Sequence, residues 1–74
     1  MDENRIEEIL QSVAQNVDLR HYIYDEEYHM FNSTNFPYTD VGREEERKEI
    51  TAFLRSNGVK FEVREDDTIH IFLH

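Results

Sequence analysis

Two apolar runs of period two constrain this chain more than any other feature: Val59, Phe61, Val63 and then Ile69, Ile71, Leu73, on either side of the acidic triplet Glu65-Asp66-Asp67. Lys60, Glu62 and Arg64 alternate with the first run, and Thr68, His70, Phe72 and His74 with the second, the pattern of a hairpin with one apolar face. A two-residue turn at Asp66-Asp67 would set Val63 opposite His70 and divide the apolar sets between the faces. A three-residue tip at Glu65-Asp66-Asp67 instead pairs Val63 with Ile69 and Phe61 with Ile71, and is the expected register.

Upstream, apolar residues recur at Ile6, Ile9, Leu10, Val13, Ala14 and Val17, which draws one stripe along a helix over residues 3–16. Asp2 is its expected N-cap and Asn16 its expected left-handed terminator. Leu19 to Phe31 is rich in aromatic and bulky residues around Asp25-Glu26-Glu27 and reads as another hairpin. A three-residue tip there pairs Tyr24 with Tyr28, Tyr22 with Met30 and Ile23 with His29, whereas a two-residue tip pairs Ile23 with Tyr28. Asn32 to Asp40 reads as a loop, with Pro37 keeping Phe36 out of helical geometry. Thr39 or Asp40 then caps a helix over residues 41–57, with an apolar stripe of Ile50, Phe53 and Leu54. The charged first half of that helix reads as solvated surface, with Glu44 reaching Lys48 and Glu45 repelling Glu49. Asn57-Gly58 is its stop signal.

Sliding the chain by 41 positions matches Ile9 with Ile50, Val13 with Leu54, Asn16 with Asn57 and Phe31 with Phe72, a candidate pseudo-repeat of a helix-hairpin unit. The expected architecture is α+β: two helices packed on one face of an antiparallel four-stranded sheet, in the order helix-strand-strand-helix-strand-strand. Both acidic hairpin tips are then expected to point the same way. The 74 residues allow one domain, 1–74, that buries only about 60% of its unfolded surface, so a homodimer covering a further apolar face is a natural supplement.

Seventeen Asp and Glu against eight Lys and Arg give a formal net charge of -9. Such a charge resists nucleic acid and anionic membranes and steers a molecule toward basic surfaces. With no cysteine there are no disulfides or thiolate metal sites, which suits a reducing cytoplasm, and the acidic N-terminus is unlike a secretory signal. No run approaches the roughly 18 apolar residues of a membrane span. Neither acidic triplet has the alternating ligands and glycine of an EF-hand, and His70 and His74 stand about 13 Å apart along one strand, so no metal or other cofactor is expected. Ser12, Ser33 and Ser56 lie in no nucleophile motif, and no enzymatic activity is expected.

Two sets of residues remain as candidates for binding. Asp25, Glu26, Glu27, Glu44, Glu45, Glu46, Glu65, Asp66 and Asp67 form three carboxylate clusters suited to a basic protein surface. Tyr22, Tyr24, Tyr28 and Phe72 are a candidate aromatic interface on the sheet face away from the helices. Together they suggest a non-enzymatic inhibitor of a basic nucleic-acid-binding protein, working by DNA mimicry; the alternative is an adaptor or structural subunit docked through the aromatics. In size, acidity and layout the chain resembles small phage-encoded host-takeover proteins, including acidic inhibitors of the histone-like nucleoid protein HU. No motif carries that resemblance and no residue role is transferred by it. It implies action in the host bacterial cytoplasm on a DNA-binding protein such as HU, by a homodimer joined through exposed aromatics.

Overall fold

The computed structural model describes residues 2–33 and 40–72. Helix α1 spans Glu3–Asn16, the bounds its periodicity predicts, and buries Ile6, Ile9, Leu10 and Val13. Asp2 caps it, since the Asn4 N–H donates to Asp2 Oδ1 at 3.0 Å and relieves one of the orphan donors of the first turn. Its end departs from expectation, because Asn16 is not among the residues with positive φ. The chain instead becomes extended at Val17, whose N–H still donates to the Val13 carbonyl, and the Asn16 amide donates to the Ser12 carbonyl at 2.7 Å.

Strands β1 (Tyr22–Asp25) and β2 (Met30–Ser33) are antiparallel, pairing Asp25 with Met30, Tyr24 with Phe31, Ile23 with Asn32 and Tyr22 with Ser33. The tip is therefore four residues, 26–29, and none of the pairs expected for either shorter tip forms. Asp25 is the physical reason. Its Oδ1 accepts from the N–H of Glu27 at 3.0 Å and of Tyr28 at 3.2 Å, which starts the turn beyond the expected point. His29 then enters the left-handed region at φ 51°, returning the chain one step later. Asn32 and Ser33 are accordingly strand rather than loop. Residues 34–39, the rest of that expected loop before Asp40, lie outside the described residues.

Helix α2 spans Asp40–Ser56. Asp40 is thus its first helical residue rather than a flanking cap. Its far end is a Schellman closure: Gly58 at φ 72° donates to the Arg55 carbonyl, and the Val59 N–H reaches back to Leu54 at 3.0 Å. Val59 and Leu54 are both buried, the apolar contact that accompanies this motif.

Strands β3 (Phe61–Val63) and β4 (Ile69–Ile71) pair as the alternation predicts, Phe61 with Ile71 and Val63 with Ile69. A turn bond from Asp67 N–H to the Arg64 carbonyl, followed by Asp67 in the left-handed region at φ 68°, closes this tip.

The sheet order is β1-β2-β4-β3, all antiparallel. Both helices share one buried cluster with Tyr22, Phe31, Ile69 and Ile71, so they cover one face of the sheet, while Ile23 on the opposite face is 61% exposed. The 41-position alignment fails in detail, since it equates buried Phe31 with exposed Phe72. Nor do the tips point the same way. Each tip feeds directly into a central strand, and those strands run antiparallel, with Met30 opposite His70 and Phe31 opposite Ile69. The tips therefore emerge from opposite ends of the sheet, roughly 15–20 Å apart at about 3.4 Å per residue.

Tyr22 joins the sheet to the second tip, its hydroxyl donating to the Asp67 carbonyl at 2.7 Å. Burial, reinforced by the Asp67 charge, raises its pKa from 10.0 to about 12. A raised phenol pKa favours the folded state while the group is neutral, so its contribution is complete below the unfolded value and disappears as pH rises through the folded one. Stability measured by urea unfolding should fall between pH 10 and about 12. Tyr22→Phe should make that fall shallower without abolishing it, because burial and nearby acids raise Tyr24 as well. An unchanged slope in Tyr22→Phe would contradict this assignment.

Candidate protein-binding surface

The three acidic clusters are not alike in the folded chain. In the first tip, Glu26 and Glu27 are exposed, and the half-exposed Asp25 carboxylate is engaged in its turn. In the second, Glu65 and Asp66 are exposed, and Asp66 Oδ1 accepts from the Thr68 N–H at 3.0 Å. That bond holds the Asp66 carboxyl below its usual pKa.

Of the residues expected on an acidic docking surface, Glu46 is buried instead, and Asp67, still about a third exposed, is turned toward two arginines of α2. Arg47 meets Asp67 at 2.9 Å and Arg43 at 3.6 Å, so this carboxylate is neutralised inside its own chain. These residues and Glu44 line a cleft of about 180 Å³. Among the described residues its lining is two guanidinium groups and two carboxylates, with no nucleophile.

Glu46 is only 7% exposed. One carboxylate oxygen accepts from the Arg20 N–H at 2.7 Å, and the other meets the His21 N–H at 2.9 Å and His21 Nδ1 at 2.7 Å. The carboxylate thus satisfies two backbone donors in the bend before β1, a need no nearby carbonyl fills. Helical phase explains its direction, because residues 43, 46 and 47 continue the stripe of Ile50, Phe53 and Leu54 back by one turn. That phase was the available signal in the sequence, and charge concealed it.

Glu44 and Glu45 of the same helix are exposed, Glu44 pairing with Lys48 at 3.4 Å. Glu45 and Glu49, one turn apart, are exposed with no ion pair among the described residues.

The expected aromatic interface separates into two parts. Tyr22 is 1% exposed in the core, and Tyr24 packs on Phe31 with ring centroids 5.1 Å apart, on the helix-covered side. Both were expected on the open face; the four-residue tip sets the phase that turns them inward. Tyr28 and Phe72 are 65% and 45% exposed. The open face also bears Ile23 and the half-buried Met30 and His70.

His21 and His29 are mostly buried against helix acids, His29 Nε2 lying 3.4 Å from Glu7. His74 lies outside the described residues. Among the described residues, no three His, Asp or Glu side chains converge as a metal-ligand set. The Ser33 and Ser56 hydroxyls donate to the Asp66 and Phe53 carbonyls. No helix among the described residues is long and apolar enough to cross a membrane.

No family, no curated protein and no solved structure matches this chain.

Proposed function

We propose that this chain is a non-enzymatic acidic inhibitor that binds a basic nucleic-acid-binding protein and keeps it off DNA by presenting carboxylates in place of phosphates. The observation that carries the reading is how the chain uses its own cations. Arg5 pairs with Glu8, Arg20 with Asp18, Arg43 and Arg47 with Asp67, Lys48 with Glu44 and Arg64 with Glu62, while Arg55 lies over the Phe61 ring and exposed Lys60 has no ion pair among the described residues. The charge excess therefore falls on exposed carboxylates, Asp2, Glu3, Glu26, Glu27, Glu45, Glu49, Glu65 and Asp66, which have no ion pair among the described residues.

Magnitudes support mimicry of one strand rather than two. Nine net charges along a longest dimension of 36 Å correspond to about one per 4 Å, against one per 1.7 Å in duplex DNA and one per 3.4 Å along a single strand. The partner class is a protein whose Lys and Arg side chains contact phosphates, with HU as the instance the resemblance suggests and a host bacterial cytoplasm as the setting.

Binding to purified HU should weaken steeply as salt rises, and duplex DNA should compete. Reversing Glu26, Glu27, Glu44 and Glu45 together to lysine should reduce affinity by at least about tenfold, since each lost rim contact is worth a few tenths to 1 kcal/mol. Affinity unchanged by that quadruple reversal would eliminate mimicry. The adaptor reading draws on exposed Ile23, Tyr28 and Phe72, and predicts salt-resistant binding indifferent to DNA.

A further inference from the structure

The two edges of the sheet differ in kind. At the β3 edge, Glu62 lies within a three-residue strand that Lys60 and Arg64 flank, and charges on and beside a short edge strand discourage pairing with another chain. At the β1 edge the sequence is Tyr22-Ile23-Tyr24-Asp25, with neither lysine nor proline, and Ile23 is 61% exposed.

Hydrogen-bond parity shows which backbone groups that edge presents. The Ile71 N–H donates to the His29 carbonyl and the Phe72 N–H to the Lys60 carbonyl, so odd-numbered residues of β4 face β2 and even-numbered ones face β3. In β2, by the same alternation, residues 29, 31 and 33 face β4, leaving Met30 and Asn32 to face β1. Their partners Asp25 and Ile23 close that ladder, so the N–H and C=O groups of Tyr22 and Tyr24 point outward from the sheet.

We propose that β1 is the seam of a symmetric homodimer, in which two copies join edge to edge as one eight-stranded antiparallel sheet with the two-fold axis at Ile23. About that axis, Tyr22 of one copy exchanges both backbone hydrogen bonds with the partner's Tyr24, and the symmetric pair repeats this, making four bonds. Ile23 meets its own copy in a non-hydrogen-bonded pair, where the side chains approach closest. Extended past the ends of β1, the same register sets His21 opposite the partner's Asp25, and Arg20, which pairs with Asp18 in its own chain, opposite the partner's Glu26. This matters in a chain of net charge -9, because in this register no two acidic residues of residues 18–28 stand directly opposite each other. The unlike β3 edges then face outward and stop growth at two copies.

Sedimentation of the wild-type chain should give twice the mass of one copy. Dimerisation should strengthen with added salt, as the distant like charges are screened. This is opposite to the salt dependence of partner binding, so failure of one reading is distinguishable from failure of the other. Because the chain has no cysteine, Ile23→Cys introduces a single thiol. Facing residues of a non-hydrogen-bonded pair lie about 4.5 Å apart between Cα atoms, within disulfide reach. Ile23→Cys should therefore form a disulfide-linked dimer on mild oxidation, much faster than Ala52→Cys on the exposed side of α2. Ile23→Lys, also at an exposed position, should keep the native circular dichroism spectrum and lose the dimer. A monomeric wild type, equal cross-linking of the two cysteine variants, or a dimer that survives Ile23→Lys would each overturn the proposal.

Discussion

Glu46→Ala should destabilise the chain by about 3 kcal/mol and lower its melting temperature by roughly 15 °C. The substitution strands the N–H groups of Arg20 and His21, which the carboxylate holds at 2.7 and 2.9 Å in a part-buried bend, and removes the partner of His21 Nδ1. A small domain has only about 5 kcal/mol to lose, so the loss is most of its stability. Glu46→Gln, with one acceptor oxygen where two are needed, should fall between the two. Thermal unfolding followed by circular dichroism reads all three. A melting temperature in Glu46→Ala within a few degrees of wild type would show that water takes over these donors and that the carboxylate is dispensable.

Phe31→Ala should be at least as damaging, at about 4 kcal/mol, because it combines lost burial with a cavity that a small core cannot close. Phe31 is fully buried in a central strand, pairs with Tyr24 on one side and Ile69 on the other, and packs against the Tyr24 ring. Phe72→Ala provides the contrast, since a ring 45% exposed just beyond β4 should change urea stability by no more than about 0.5 kcal/mol. Comparable losses in the two variants would mean that Phe72 also belongs to the core.

The contrast between these phenylalanines shows what was legible in the sequence. Period alone located α1 and set the register of the second hairpin, because one wrong step there would have separated Val63 from Ile69 across the sheet. The first hairpin offered no such restraint. Tyr22, Ile23 and Tyr24 are all bulky, so either face could have been the buried one, and the outcome depended on two hydrogen bonds to Asp25 and a left-handed His29. Once the tip lengthened, Tyr22 and Tyr24 left the candidate interface for the core.

Charge misled in a related way in α2. Arg43, Glu46 and Arg47 occupy the inward phase of the helix as surely as Ile50 and Leu54 do, but a polar side chain turns inward only where a distant partner awaits it. Those partners, the bend at Arg20-His21 and the tip residue Asp67, lie 20 to 26 residues away in the chain. Local pattern carries no information about such pairings.

The opposite ends of the sheet also differ in how firmly they are held. The second tip is fastened by Arg43, Arg47, the Tyr22 hydroxyl and the Ser33 hydroxyl. The first is secured by its own turn and a 3.4 Å contact between His29 and Glu7. Asp66 and Asp67 at the second end are therefore held in place in the free chain, whereas Glu26 and Glu27 at the first would give up motion on meeting a partner. Two triplets of three acids each, one of them with Asp67 already neutralised, thus carry unequal entropic penalties, and the chain has a stiff end and a compliant one.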